Sequence, residues 1–299
     1  MRYVWFSIII LLTIGCDRER EERTVHIAVS LAGTDAYAST KHIQAITDAA
    51  EDGNIDVIWR IAQWDHELQN RQIDTLFAEM PDIIAVEITD PRRADEILGP
   101  IQQQEIPVVG FNRLAPSFQY DLIVSPDYYE IGNELAEAVV ERYDSREINI
   151  LLLYGSVFSG QDSLIIESFL SVIEEYDNFT VQKKETVQKE LLQDSNAAIA
   201  IDPLLTRRLV QSITEMDEAG MEHRSPFIAG IGEKESFTMI DYDNLLLIDR
   251  QQYTAGTLLV NAASDYARGE FRHLEGPVIQ VGEYMMPVVY TPYRVVHPD

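Results

Sequence analysis

The residues able to do chemistry in this 299-residue chain are few and scattered. Glu87 and Asp90 stand three apart in "EITD", a pairing that suggests the two carboxylates of a glycoside hydrolase. The chain carries 50 acidic residues against 23 Lys and Arg, so such pairs arise by chance. No nucleophile–base arrangement is legible. The six histidines show no HxxxH or HExxH spacing, which argues against a metal centre. "AGIGEKES" sets Gly230 and Gly232 before a helix but lacks the third glycine of a dinucleotide fingerprint. The single cysteine, Cys16, excludes an internal disulfide. These residues point away from an enzyme, and they imply no cofactor.

Cys16 closes an apolar run, "IIILLTIGC". The run from Tyr3 to Ile14 follows Arg2 and is shorter than the roughly 20 residues a membrane-spanning helix needs. A positive start, an apolar middle and small Gly15 make a secretory signal peptide. The order Gly15-Cys16 resembles the lipobox of bacterial lipoproteins, cut before a cysteine whose thiol carries diacylglycerol. Thr13 stands where leucine is usual, with Leu12 one place earlier. The resemblance implies a signal peptide over 1–15 and a lipidated tether over 16–24, anchored to the membrane in the cell envelope. The other reading of Cys16 is a chance residue in an uncleaved anchor. "DREREER", residues 17–23, has nothing apolar to bury and reads as solvated.

The net charge of −27 repels nucleic acid, whose binding rests on neutralised phosphates. It also disfavours basic-patch attachment to anionic lipid. Beyond the leader, strands and helices alternate. Strands are expected over 24–31, 55–61, 82–86, 107–111, 121–124 and 148–154. Helices are expected over 36–50, 65–79, 91–104, 129–143 and 161–176. This alternation means βαβ units and parallel sheets. Ligands in such sheets sit beyond the carboxyl ends of strands. There the sequence turns polar, at Ser30, Glu87, Asn112-Arg113, Ser125 with Asp127, and Asp202. Several aligned polar ends suggest a shared cleft.

"VHIAVSLAGTDAYASTKHIQAITDAA", "AQWDHELQNRQIDTLFAEMPDIIAVEITD" and "QQEIPVVGFNR" resemble the type I periplasmic sugar-binding proteins, the ribose- and galactose-binding group. "IVSPDYYEIGNELAEAV", with Asp127 and Gly132, and "ILLLYGSVFSG" continue the match to about residue 181. The resemblance implies two Rossmann-like α/β lobes with parallel sheets, joined by a three-strand hinge and closing on a ligand. The first lobe would be 25–125 plus 251–279, the second 126–250 plus 280–299. The crossings would fall near Ser125, Arg250 and Gln280.

The resemblance also implies ligand contacts from Ser30, Thr34, Tyr37, Glu87, Asn112, Arg113 and Asp127. Tyr37 is a stacking platform or a residue that packs the helix start. Arg113 grips the ligand or pairs with a surface acid. Glu87 binds hydroxyls or a cation, or pairs with Arg113. The second lobe departs from the family pattern. The expected arginine falls at Ile165, the expected aspartate at Gly232, and the hinge glutamine at Arg250. This leaves two readings: a modified pocket that uses Phe158, Asp202 and Arg250, or a degenerate protein that no longer binds sugar. The implied function is a lipid-anchored receptor that hands a small polar ligand, a carbohydrate, to an ABC permease. The alternative is a sensory protein of the same fold, presenting its ligand to a histidine kinase or chemoreceptor.

Overall fold

The aliphatic run "VHIAVSL" forms a strand buried along almost its whole length, as expected for a strand covered on both faces. The computed structural model describes residues 23–33, 36–143, 147–155, 160–221, 226–237, 244–271 and 276–297, without the side chains of 36–39 and 52. The first elements are β1 (Val25–Leu31), α1 (Ala36–Asp52), β2 (Ile55–Ile61), α2 (His66–Phe77), β3 (Ile83–Val86), α3 (Ala94–Gln103), β4 (Val108–Phe111) and β5 (Leu122–Ser125). Then come α4 (Tyr128–Arg142), β6 (Ile148–Leu153), α5 (Gly160–Ile173), β7 (Phe179–Lys184), α6 (Lys189–Asp194), β8 (Ala197–Ala200), α7 (Pro203–Glu218) and β9 (Phe227–Ile231). The chain ends with β10 (Leu245–Asp249), α8 (Gln252–Arg268), β11 (Val278–Val281), β12 (Tyr284–Tyr290) and β13 (Arg294–Val296).

Two sheets result. The first has the order β11-β12-β5-β4-β3-β1-β2, the second β13-β10-β9-β8-β6-β7. All pairings are parallel except β11 with β12 and β13 with β10. Each sheet is sandwiched between two apolar clusters, one per face. Helix α8 returns to the first lobe, where Leu259, Val260 and Ala263 pack with Val25 and Ile27.

The expected alternation is present, with two differences. The helix expected over 91–104 begins as a 3-10 turn, Pro91–Arg93, because Arg93 leaves the helical conformation at φ −113° before α3 starts. The last crossing does not fall near Gln280. There the chain turns at Gly282, with φ +62°, into β12, which pairs parallel with β5 in the first sheet. A Cβ on Gly282 would lie 2.0 Å from the Pro116 carbonyl oxygen, so only glycine closes this turn. The crossing therefore comes between Tyr290 and Arg294, and only β13 of the final segment joins the second sheet. The other crossings lie between β5 and α4 and between β10 and α8.

Helix starts are fixed by carboxylates. Asp65 accepts from the Leu68 N–H at 3.0 Å, Asp127 from Tyr129 and Glu130 at 3.1 Å each, and Asp202 from Leu205 at 2.9 Å. The carboxyl ends of β1 and β3 are held together by one buried amide. Gln69 Nε2 donates to Ser30 Oγ at 3.0 Å and to the Glu87 carbonyl at 2.9 Å. Its Oε1 accepts from the Thr89 N–H at 2.9 Å and from Thr89 Oγ1 at 2.8 Å. Gln69 is fully buried, so these bonds see no competing water.

Gln69→Leu should lower the melting midpoint sharply, since each buried polar group left orphaned costs about 1–3 kcal/mol. Gln103→Leu, at an exposed position of α3, should leave it nearly unchanged. Equal midpoints for the two variants would show that the Gln69 knot does not hold these loops.

Candidate functional site

A cavity of about 510 Å³ opens between the lobes, at the carboxyl ends of the strands. Its first-lobe wall includes Gly33, His42, Trp64, Glu87, Asn112 and Arg113. Its second-lobe wall includes Tyr128, Gln161, Ile165, Asp202, Arg207 and Glu233. Arg250, from the second crossing, and Gln252, from the first turn of α8, complete the hinge side. Among the described residues, the charged groups of this wall are three arginines and three acids: Arg113, Arg207 and Arg250 against Glu87, Asp202 and Glu233. Its described part is thus balanced in charge, on a protein that is strongly acidic overall.

Arg250 organises the charges. Burial opposes its cationic form, but Tyr128, Glu233, Glu87 and Asp202 surround it and together raise its pKa. Glu87 comes from the first lobe, Glu233 and Asp202 from the second. The Glu87 carboxylate accepts from the Ala32 N–H at 3.2 Å and from Asn112 Nδ2 at 3.4 Å. Burial pushes its pKa up, against the opposing effects of Arg250, these donors and Arg113. Glu233 follows β9 and is only 2% exposed. Its Oε1 accepts from Gln252 Nε2 at 2.6 Å, a bond that joins the two sides of the cleft.

His42 packs edge-on against Phe111, with ring centroids 5.1 Å apart. Burial, helped by Arg250 and opposed by a hydrogen bond with Gln252, pushes its pKa down to about 3. The ring is therefore neutral at physiological pH and presents a dipole rather than a charge to the cleft. Tyr128 Oη donates to the Asn112 carbonyl at 2.8 Å, and burial pushes the phenol pKa up. Among the described residues, the buried polar atoms of this wall without a hydrogen-bond partner include His42 Nε2, Glu233 Oε2 and Arg250 Nε.

The sequence-derived candidates fall into three groups. Glu87, Asn112, Arg113, Asp202 and Arg250 come together in the cavity wall. Ser30 and Asp127 do not line it. Ser30 is fully buried with its hydroxyl held by Gln69, and Asp127 caps α4. Thr34, Phe158, Cys16 and the Tyr37 side chain lie outside the described residues. Asp90, the second carboxylate of the hydrolase-like pair, is bound by Arg92 at 2.8 and 2.9 Å and does not line the cavity. Among the described residues, no group of His, Cys, Asp and Glu could hold a metal ion.

The second-lobe acid is not lost with Gly232. It stands one residue later, as Glu233, and Arg207 on α7 supplies a cation that Ile165 does not. Trp64, His42, Tyr128 and Gln252 were also missed. Trp64 offered a signal, being a large aromatic just past a strand end. Its ring lies over Arg113, whose guanidinium carbon is 5.6 Å from the ring centroid. A Cβ on Gly33 would lie 2.4 Å from the indole, so that glycine makes room for it.

Comparison with known proteins agrees with this geometry. A search of curated proteins finds no match. Among solved structures, an ABC transporter solute binding protein from Mycobacterium smegmatis with bound glycerol aligns over 92% of this chain and 94% of its own, with TM-score 0.73 and 16% identity. Another, from Bacillus halodurans with bound myo-inositol, aligns over 93% and 96%, with TM-score 0.73 and 18% identity. The fructose-binding periplasmic domain of a hybrid two-component system aligns over 91% and 90%, with TM-score 0.72 and 17% identity. The family model described as periplasmic binding protein domain matches residues 27–271. Two α/β lobes around a polar cleft, with a family match over most of its length, mean that this chain belongs to the periplasmic binding proteins.

Proposed function

We propose that the protein is a lipid-anchored extracytoplasmic receptor that binds a sugar or related polyol in the interlobe cleft and delivers it to an ABC importer. The observation that carries the reading is the unspent hydrogen-bonding capacity of a charge-balanced wall. His42, Glu233 and Arg250 each keep a polar atom without a partner. A buried polar group costs free energy until it is paired. A hydroxyl both donates and accepts, so one sugar hydroxyl can serve Glu233 and Arg250 together. Among the described residues of the wall, three arginines face three acids, so no excess of either charge favours a charged ligand. Solved relatives of this fold with bound glycerol and myo-inositol support the polyol class.

Anchoring rests on Cys16. In the first lobe β1 starts at Val25, at the amino edge of a sheet whose carboxyl edge carries the cleft. A tether leaving that edge keeps the cleft clear of the membrane. Among the described residues, no helix is long and apolar enough to cross a membrane. A second reading is a sensory receptor, supported by the likeness to a two-component domain. Stimulation of a partner ATPase would favour the importer, and that of a kinase the sensor.

A thermal-shift panel of neutral sugars and polyols should contain a ligand that raises the melting midpoint. Binding at 100 times Kd adds about 2.7 kcal/mol, which is several degrees for a protein of this size. Shifts only with amino acids or nucleotides would overturn the sugar reading. With that ligand, Arg113→Ala should weaken binding roughly 10- to 100-fold, since bonds to a charged group contribute about 1.5–3 kcal/mol and 1.4 kcal/mol is tenfold. Calorimetry within twofold of wild type would exclude Arg113 from the ligand contacts. Cys16→Ser should abolish partition into detergent and acyl mass on the N-terminal peptide. A wild-type chain without acyl mass would contradict anchoring.

A further inference from the structure

The cleft wall changes character with distance from the crossings. Arg250 lies within the second crossing, Gln252 just after it, and Glu233 follows β9, the strand beside β10. With His42 they form a polar end. Trp64 follows β2, the edge strand of the first sheet farthest from β11 and β12. On the other lobe, Leu204 lies in the first turn of α7. Both line the cavity, yet Trp64 is 55% and Leu204 53% exposed. Two large apolar side chains left half in water forgo burial that an apolar face of a ligand could supply.

The backbone holds Trp64 in this position. Gln63 and Trp64 both adopt left-handed φ angles, +53° and +62°. Such conformations are costly for bulky residues and cluster at ligand clamps. The Trp64 N–H is bound to the Ala32 carbonyl at 2.7 Å, and Arg113 lies beneath the ring. The indole is thus fixed in place while the residue stays 55% exposed.

We propose that the ligand is a glycoside: a sugar ring held at the Arg250 end, joined to a second ring with an apolar face that lies between Trp64 and Leu204. This rests on the sugar reading above and adds the ligand class. A cavity of about 510 Å³ falls among sites of about 300–1,000 Å³ that bury drug-sized molecules, so it has room for two rings. The second ring covers the two side chains now in water. Its face is an arene or the C–H side of another sugar, both of which stack on indole.

The test uses calorimetry with glucose, galactose and ribose. Each free sugar is compared with its α- and β-methyl and phenyl glycosides and with a disaccharide carrying it at the non-reducing end. For the sugar that binds, the phenyl glycoside or the disaccharide should bind at least tenfold tighter than the free sugar. Trp64→Ala and Leu204→Ser, both at exposed positions, should remove that advantage, weakening the two-ring ligand by more than the free sugar. A free sugar that binds as tightly as its two-ring derivatives would overturn the glycoside inference alone. So would an advantage that survives both substitutions. Binding of none of these compounds, with a thermal shift from another class of molecule, would overturn the sugar reading and this inference with it.

Discussion

Arg250 is the constraint around which the cleft is arranged. A guanidinium drawn out of water into a crossing between lobes must be compensated, because an unpaired buried charge is far costlier than any single bond it could make. The compensation comes from both sides. Glu87 approaches from the first sheet, Glu233 and Asp202 from the second, and Tyr128 from the start of α4. The lobes are thereby tied through one cation as well as through backbone. The Gln252–Glu233 bond lies beside it. A ligand entering here joins an electrostatic network that already spans the hinge.

The sheets explain why these groups meet. Parallel βαβ units put every strand-to-helix loop on one edge, and two such edges face each other across the crossings. The loops would carry exposed backbone polar groups without further fixing. Gln69 ties the ends of β1 and β3, and aspartates cap α2, α4 and α7. Glu87 therefore sits at a fixed height, with Ala32 and Asn112 orienting its carboxylate. Rigid elements carry the site, and the three crossings join the lobes that bear them.

Much of this was legible in the sequence because it rests on patterns of short range. Buried parallel strands are continuous aliphatic runs, as in "VHIAVSL" and "INILLL", and their polar ends mark the cleft. Glu87, Asn112, Arg113 and Asp202 follow from that rule. Side chains brought in from elsewhere did not. His42 lies within α1 and Gln252 at the start of α8, and their meeting depends on α8 returning to the first lobe. Glu233 was hidden by a one-residue offset from the family position at Gly232. Ser30 obeyed the strand-end rule yet points its hydroxyl to Gln69, a partner 39 residues away that no local pattern reveals. The last crossing was misplaced for the same reason: β12 joins the first sheet through pairing with β5, more than 150 residues earlier in the chain.

The central claim is that the wall around Arg250 reads ligand hydroxyls. A crystal structure of the protein with its tightest-binding sugar tests it most directly. The account predicts a ring hydroxyl within about 2.7–3.2 Å of both the Glu233 carboxylate and the Arg250 guanidinium. A bound sugar that leaves Glu233 and Arg250 untouched, with its hydroxyls held elsewhere, would contradict it.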